Sequence, residues 1–262
     1  MTADKKIFFA SDFHLGMPNW ETSLQRERKI IDWFHACVPQ ADAFYLVGDV
    51  FDFWFEYNTT IPKGFVRFLG TLAQITDRGI PVYLFPGNHD LWFADYLVKE
   101  CGVILVDGPL EFEYREKRFF VHHGDGLGPG DTSYKWLKKI FTARFARLLF
   151  QWIHPNLGIA LAHALSRKSR LSQNPKEDHY LGDAKEHLAQ FVTQHQASLT
   201  QHPKPDFYIF GHRHLVLDVQ LGDARYINLG EWLHGSQYAE FDGQTLSLLQ
   251  WPSEQPAEPQ NR

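Results

Sequence analysis

Residues 45–54 read YLVGDVFDFW, an apolar run of strand character that goes straight into two acids, Asp49 and Asp52, with one glycine before the first. A buried strand has no evident use for carboxylates at its end. The chain repeats the arrangement in IFFASDFHLG (7–16), VYLFPGNHDLWF (82–93), FFVHHGDGLG (119–128) and FYIFGHRHLV (207–216). Five times an apolar run stops at Asp, Asn or His beside a small residue or a turn, which implies that these ends gather in one place.

The strand-length runs, at 7–11, 43–47, 81–85, 118–121 and 207–210, are mostly continuous rather than alternating, as expected of strands covered on both faces. Between the first three lie stretches of helical period. SLQRERKIIDWFHACV (23–38) puts Leu24, Ile31, Phe34 and Val38 on one side, and GFVRFLGTLAQITDRG (64–79) does the same with Phe65, Phe68, Leu72 and Ile75. Alternation of strand and helix predicts parallel crossovers and an α/β layered domain. After residue 125 the pattern turns helical: SYKWLKKIFTARFARLLFQWIH (133–154) reads as one helix ended by Pro155, and NLGIALAHALSRKSRLS (156–172) as a second. From Asp131 to Ser172 there are eight Lys or Arg against that single acid, so a basic helical hairpin is expected between strands. ARYINLGEW and YAEFDGQTLSLLQW read as antiparallel strands with Asp242-Gly243 as a hairpin turn. The expected layout is one domain over 1–251, with a helical insertion at about 131–195, and a polar, Pro-rich, disordered tail over 252–262.

Composition sets the outer limits. The chain has 262 residues, 44% hydrophobic and 15% aromatic, enough for one large packed core and too apolar for a disordered chain. A net charge of −5 excludes a globally basic surface that coats nucleic acid, and no protein partner is indicated. Cys37 and Cys101 have no ligand or disulfide spacing. The N-terminal apolar run is too short for a signal peptide, and nothing approaches the roughly 20 apolar residues of a spanning helix. A cytoplasmic protein is expected, able to touch a membrane surface.

In a parallel layered sheet, ligands bind beyond the carboxyl ends of the strands, where all five polar clusters fall. Asp12 and His14 are two apart, as are His212 and His214, and extended backbone would point both members of each pair the same way. Oxygen and imidazole donors together suit Mn²⁺, Fe²⁺, Zn²⁺ or similar ions better than Ca²⁺. One carboxylate shared between two ions would hold them roughly 3.5–4 Å apart, and Asp49 is the expected bridge. Singly, each motif is more often a turn, a cap or a satisfied surface residue. Their ordered recurrence is what carries the reading.

The set Asp12-Phe13-His14, Gly48-Asp49, Gly87-Asn88-His89-Asp90, His123-Gly124 and Gly211-His212-Arg213-His214 resembles the calcineurin-like metallophosphoesterases. That resemblance implies a four-layer α/β/β/α sandwich with an inserted helical lid. It implies two divalent ions, Mn first with Fe, Zn or Mg as alternatives. One ion would be held by Asp12, His14, Asp49 and His214, the other by Asp49, Asn88, His123 and His212. His89 would act on the phosphoryl group, Asp52 and Asp90 would orient histidine ligands, with a helix N-cap before LWFADYLVKE the equal alternative for Asp90, and His122, which packs or orients a ligand, is left out of the set. Within that superfamily, SDFHLG, GDVFDFW, HHGDGLGPGDTSYKWLKKIF and ALSRKSR are similar to the UDP-2,3-diacylglucosamine pyrophosphohydrolases, which release UMP and a lipid-sugar phosphate in lipid A biosynthesis. Asn88, His89, Asp131, Tyr134, Arg167, Lys168 and Arg170 are then the candidate substrate contacts, with peripheral binding to the inner membrane. The best-known branch has Arg where this chain has His89, the usual superfamily residue. A phosphoesterase for soluble substrates and a non-catalytic binding scaffold are the alternatives.

Overall fold

The structure, a computed structural model, describes residues 5–129, 132–172, 179–180 and 182–252; within the helices it leaves out the side chains of 132–134, 137, 142, 163, 165 and 167–172. In chain order the first half comprises β1 (Lys6–Ala10), α1 (Trp20–Cys37), β2 (Ala41–Val47), α2 (Val66–Asp77), β3 (Val82–Phe85), α3 (Tyr96–Cys101) and β4 (Ile104–Leu105). β5 (Leu110–Tyr114) and β6 (Lys117–Val121) lead into α4 (Thr132–Thr142), α5 (Arg144–Gln151) and α6 (Pro155–Ser172). The chain closes with α7 (His187–Ser198), β7 (Phe207–Phe210), β8 (Val216–Leu221), β9 (Ala224–Leu229), β10 (Gln237–Phe241) and β11 (Leu246–Gln250).

Two sheets form, in the orders β11-β10-β1-β2-β3-β4 and β5-β6-β7-β9-β8. β1, β2, β3 and β4 run parallel, as do β6, β7 and β9. Successive residues of a strand face opposite sides, so the continuous apolar runs divide between two cores. Phe8 and Ala10 join Ile30, Trp33 and Phe34 of α1 on the outer face, whereas Ile7 and Phe9 meet Phe119, Ile209 and Ile227 between the sheets. Phe120, Tyr208 and Phe210 pack on Leu188 and Val192 of α7. This is the expected α/β/β/α layering. Each fully buried Phe of these layers contributes roughly 1.5–3 kcal/mol over its exposed state.

Three local expectations need correction. On α1 the expected Phe34 is buried, as is Val38 just past its end, but Leu24 and Ile31 are only half-buried, and the rest of the buried face is Ser23, Arg26, Glu27, Ile30, Trp33 and Cys37. Arg26 and Glu27 can be buried because each has a distant backbone partner: Arg26 Nη2 donates to His14 O at 2.7 Å, and Glu27 Oε1 accepts from Phe68 N at 3.0 Å. The inserted segment is three helices rather than a hairpin of two, and Pro155 opens α6 instead of ending its predecessor. The break comes at Ala143, which is extended (ψ 133°). Trp92 Nε1 donates to the freed Phe141 carbonyl at 2.8 Å and its ring lies 4.8 Å from Phe150, so one tryptophan holds both sides of the break. Finally, β9 belongs to the second sheet and only β10 and β11 form the C-terminal hairpin, closed by Asp242 Oδ1 accepting from Gln244 N and Thr245 N. No helix among the described residues is long and apolar enough to cross a membrane. The tail from residue 253 lies outside the described residues.

Candidate metal centre

Asp12 and His14 follow β1, Asp49 follows β2, Asn88 and His89 follow β3, His123 follows β6, and His212 and His214 follow β7, all at carboxyl ends. The extended backbone expected for the two-apart pairs is not what occurs. Asp12, His14, Asp49, His212 and His214 have φ of 54°, 44°, 51°, 70° and 53°, in the left-handed region that costs an ordinary residue about 1–2 kcal/mol. The strands have already ended, and consecutive tight turns are what bring side chains from two sheets to one point. Interlocking backbone bonds hold those turns: Asp12 N to Gly48 O at 3.0 Å, His14 N to Asp49 O at 2.9 Å, and Gly211 N to His123 O at 2.9 Å. At Gly87 a β-carbon would lie 2.2 Å from Asp49 Oδ1, so only glycine admits the bridge carboxylate.

The side chains fall into two groups joined by Asp49. In the first, His14 Nε2 lies 3.1 Å from His214 Nε2, and His214 Nε2 is 3.2 Å from Asp12 Oδ1. His14 Nε2 is 3.8 Å from both Asp12 Oδ1 and Asp49 Oδ2. In the second, Asn88 Oδ1 is 2.8 Å from His212 Nδ1 and 3.2 Å from His123 Nε2, which is itself 3.4 Å from Asp49 Oδ2. Both carboxylates are used alike. Asp12 Oδ2 accepts from His212 N at 3.1 Å and Asp49 Oδ1 from His89 N at 2.8 Å, leaving the other oxygen of each turned to imidazole. Asp12, His14, Asp49 and His123 form the floor, at 1% exposure or less, while Asn88, His89, His212 and His214 are half-buried and form the rim.

These donors fit divalent cations. His123 Nδ1 pairs with the Val47 carbonyl at 2.8 Å and must donate there, so a neutral ring turns an Nε2 lone pair toward two acceptors, Asp49 Oδ2 and Asn88 Oδ1. Only a proton or a cation between them relieves that conflict. Burial opposes a charge on His123, yet the Asp49 carboxylate pushes its pKa up to about 10. Asp49 is held well below the usual carboxylate range despite burial, chiefly by His123 and His89. Burial pushes His14 down to about 3 and, helped by the charge on His123, His212 down to about 4, leaving both neutral as ligands require. Asp12 Oδ1 is buried without a hydrogen bond of its own.

Around this floor, Asp90 accepts from Gly87 N at 2.7 Å, Phe51 N at 3.1 Å and Asp49 N at 3.3 Å. It therefore orients two loops rather than a histidine, and it caps no helix, since α3 starts at Tyr96. Burial and the neighbouring Asp49 push it up to about 8. Asp52 Oδ1 is 3.9 Å from His14 Nδ1 and 3.6 Å from His89 Nδ1, and it accepts from Ser166 Oγ at 3.3 Å. Ser166, on α6, also lies 3.2 Å from His89 Nδ1. Arg26 is marked by no motif, and Ser166 lies within ALSRKSR without being singled out there; the fold brings both here. His122 accepts from Gly124 N at 2.9 Å. Among the substrate candidates, Asn88 and His89 stand in the site, Asp131 lies outside the described residues, and Tyr134, Arg167, Lys168 and Arg170 are described only as helix backbone.

Residues 5–216 match the family described as Calcineurin-like phosphoesterase. A UDP-2,3-diacylglucosamine hydrolase of Porphyromonas gingivalis is 38% identical, over 93% of this chain and 96% of its own. A protein of the same name from Aeromonas hydrophila is 28% identical over 86% and 89%. Among solved structures, Yfce, a phosphoesterase from E. coli, aligns over 97% of both chains with a TM-score of 0.49 and 14% identity.

Proposed function

The chain belongs to the calcineurin-like phosphoesterase family, a metal-dependent hydrolase of phosphoester bonds, and from that premise we propose that its substrate is UDP-2,3-diacylglucosamine, cleaved to UMP and 2,3-diacylglucosamine 1-phosphate. The observation that carries the hydrolase chemistry is the pair of donor groups sharing Asp49. Asp12, His14, Asp49 and His214 would hold one divalent cation, and Asp49, Asn88, His123 and His212 the other. Mn²⁺ is the first choice for mixed carboxylate and imidazole donors, ahead of Fe, Zn or Mg. Bound there, such cations supply neutralisation of phosphate charge and activation of a water nucleophile near neutral pH.

The chain's own residues do the remainder. The His89 N–H fixes Asp49 Oδ1, so Oδ2 is available to both donor groups. The Val47 carbonyl fixes the His123 tautomer. His89, on the rim, stabilises the phosphoryl group or gives a proton to the leaving oxygen, while Ser166 and the Asp52 carbonyl meet its Nδ1. As water oxygen bonds to phosphorus, the bond from phosphorus to the bridging oxygen breaks and that oxygen leaves with the sugar phosphate.

The lipid part of the reading rests on the Porphyromonas gingivalis relative's name and on α4–α6. Those helices expose Trp136 (67%), Phe145 (70%), Leu148, Leu149 and Trp152 (89%) beside Lys139 and Arg144. Such a face covers acyl chains and meets anionic headgroups, so contact with the inner-membrane surface belongs to the same proposal. The test offers Mn²⁺-loaded protein UDP-2,3-diacylglucosamine and a soluble diester side by side, with products identified by mass spectrometry. UMP from the lipid substrate is expected; turnover of the soluble diester alone rejects the lipid reading.

A further inference from the structure

The loop that carries His123 turns through two glycines on either side of Asp125, Gly124 and Gly126, with φ of 116° and 75°. Beside it lies a cavity of about 110 Å³ lined in part by Leu91, Asp107, His122, His123 and Lys138, so the packing there is incomplete. What crosses to it is a lysine from the inserted helices. Lys138 Nζ, on α4, lies 2.6 Å from Oδ2 of Asp125, whose carboxylate is almost wholly buried, and 3.5 Å from the Asp125 carbonyl. One turn earlier, Lys135 Nζ donates to the Gly128 carbonyl. The insertion therefore ties down the backbone next to His123 with two cations spaced along one helix face.

We propose that Lys138 is a positioning residue, which sets the His123 loop through Asp125 so that His123 Nε2 reaches the donor group containing Asn88 and Asp49. This rests on the reading of His123 as a ligand. It makes the insertion part of the metal centre as well as a cover for substrate. A charge-assisted bond to a buried carboxylate holds a loop far better than an exposed ion pair does. Outer partners of metal ligands typically change affinity by about 10–100-fold.

The experiment is Mn²⁺ titration of the full chain by calorimetry, for the wild type, Lys138→Met, Lys138→Arg, Asp125→Asn and the Asp125→Asn/Lys138→Met double variant. Two sites are expected in the wild type. Lys138→Met weakens one of them by about 10–100-fold, Lys138→Arg restores most of that loss, and the double variant binds no more weakly than Asp125→Asn. With a soluble diester, kcat of Lys138→Met falls at limiting Mn²⁺ and recovers at saturation, with KM unchanged. Wild-type affinity at both sites in Lys138→Met, or no rescue by Arg, overturns the positioning role. His123→Ala separates the two layers of the argument. If it loses a site while Lys138→Met keeps both, the positioning role alone is wrong; if it too keeps both, the ligand reading is wrong and this inference goes with it.

Discussion

At the ends of β1, β2 and β6 ionisable side chains are sealed from water, with Asp12, His14, Asp49, His123 and Asp125 all at 2% exposure or less, while in the α4–α6 segment Trp152, Phe145 and Trp136 are 67% exposed or more. The two regions break the inside–outside rule in opposite senses. Buried charge persists in the first because acceptors and imidazoles face one another around places for cations. Exposed apolar area persists in the second because the helices are anchored by only part of their surface, through Phe141 and Phe150 against Trp92. A departure from the rule singles out the donor cluster in one region and, in the other, the apolar face on which the lipid proposal rests.

The largest way to break this comparison is at Asp49. Asp49→Asn is expected to lower kcat by about a thousandfold or more and to weaken cation binding, since several kcal/mol of transition-state stabilisation pass through the shared carboxylate. His89→Ala should retain both cations while losing activity by about a hundredfold. Full metal content and turnover in Asp49→Asn would end the reading of this floor as a cation site.

A smaller effect concerns protons. Without cations His123 is raised from 6.5 to about 10, so at neutral pH it carries a proton that a cation must displace. Mn²⁺ affinity is expected to rise by up to about tenfold per pH unit between those values, with about one proton released on binding. Titrations in two buffers of different ionisation enthalpy read this directly, and identical heats would contradict it. The same shift makes the His123 contribution to cation-free stability full below pH 6.5 and lost as pH rises through about 10.

The smallest effects belong to the insertion. Phe145→Ser and Trp152→Ser are expected to change stability by less than about 0.5 kcal/mol, whereas Phe9→Ala between the sheets costs about 3–5 kcal/mol. The two surface changes should nonetheless raise KM for the diacylated substrate about tenfold and leave a soluble diester untouched, an estimate from the apolar area at stake. Equal KM values for both substrates would reduce the exposed face to an accident of packing.

The sequence placed the strand ends, and with them the polar clusters, because continuous apolar runs stop abruptly at Asp, Asn and His. It could not show that five of those residues sit in left-handed turns, since spacing carries no information on φ. Nor could periodicity place Arg26 and Glu27 inside α1, because their partners, His14 O and Phe68 N, are 12 and 41 residues away. The break at Ala143 has no glycine or proline to announce it and depends on Trp92, a tertiary contact 49 residues from Phe141. What was missed is in each case a property of contacts between distant segments.

The left-handed turns have one more consequence. Their conformational strain is met by the three cores and by the backbone bonds between loops. Treatment with a chelator should then leave a cooperatively folding protein, unlike a zinc finger, and re-addition of Mn²⁺ should raise its melting temperature only as far as mass action allows.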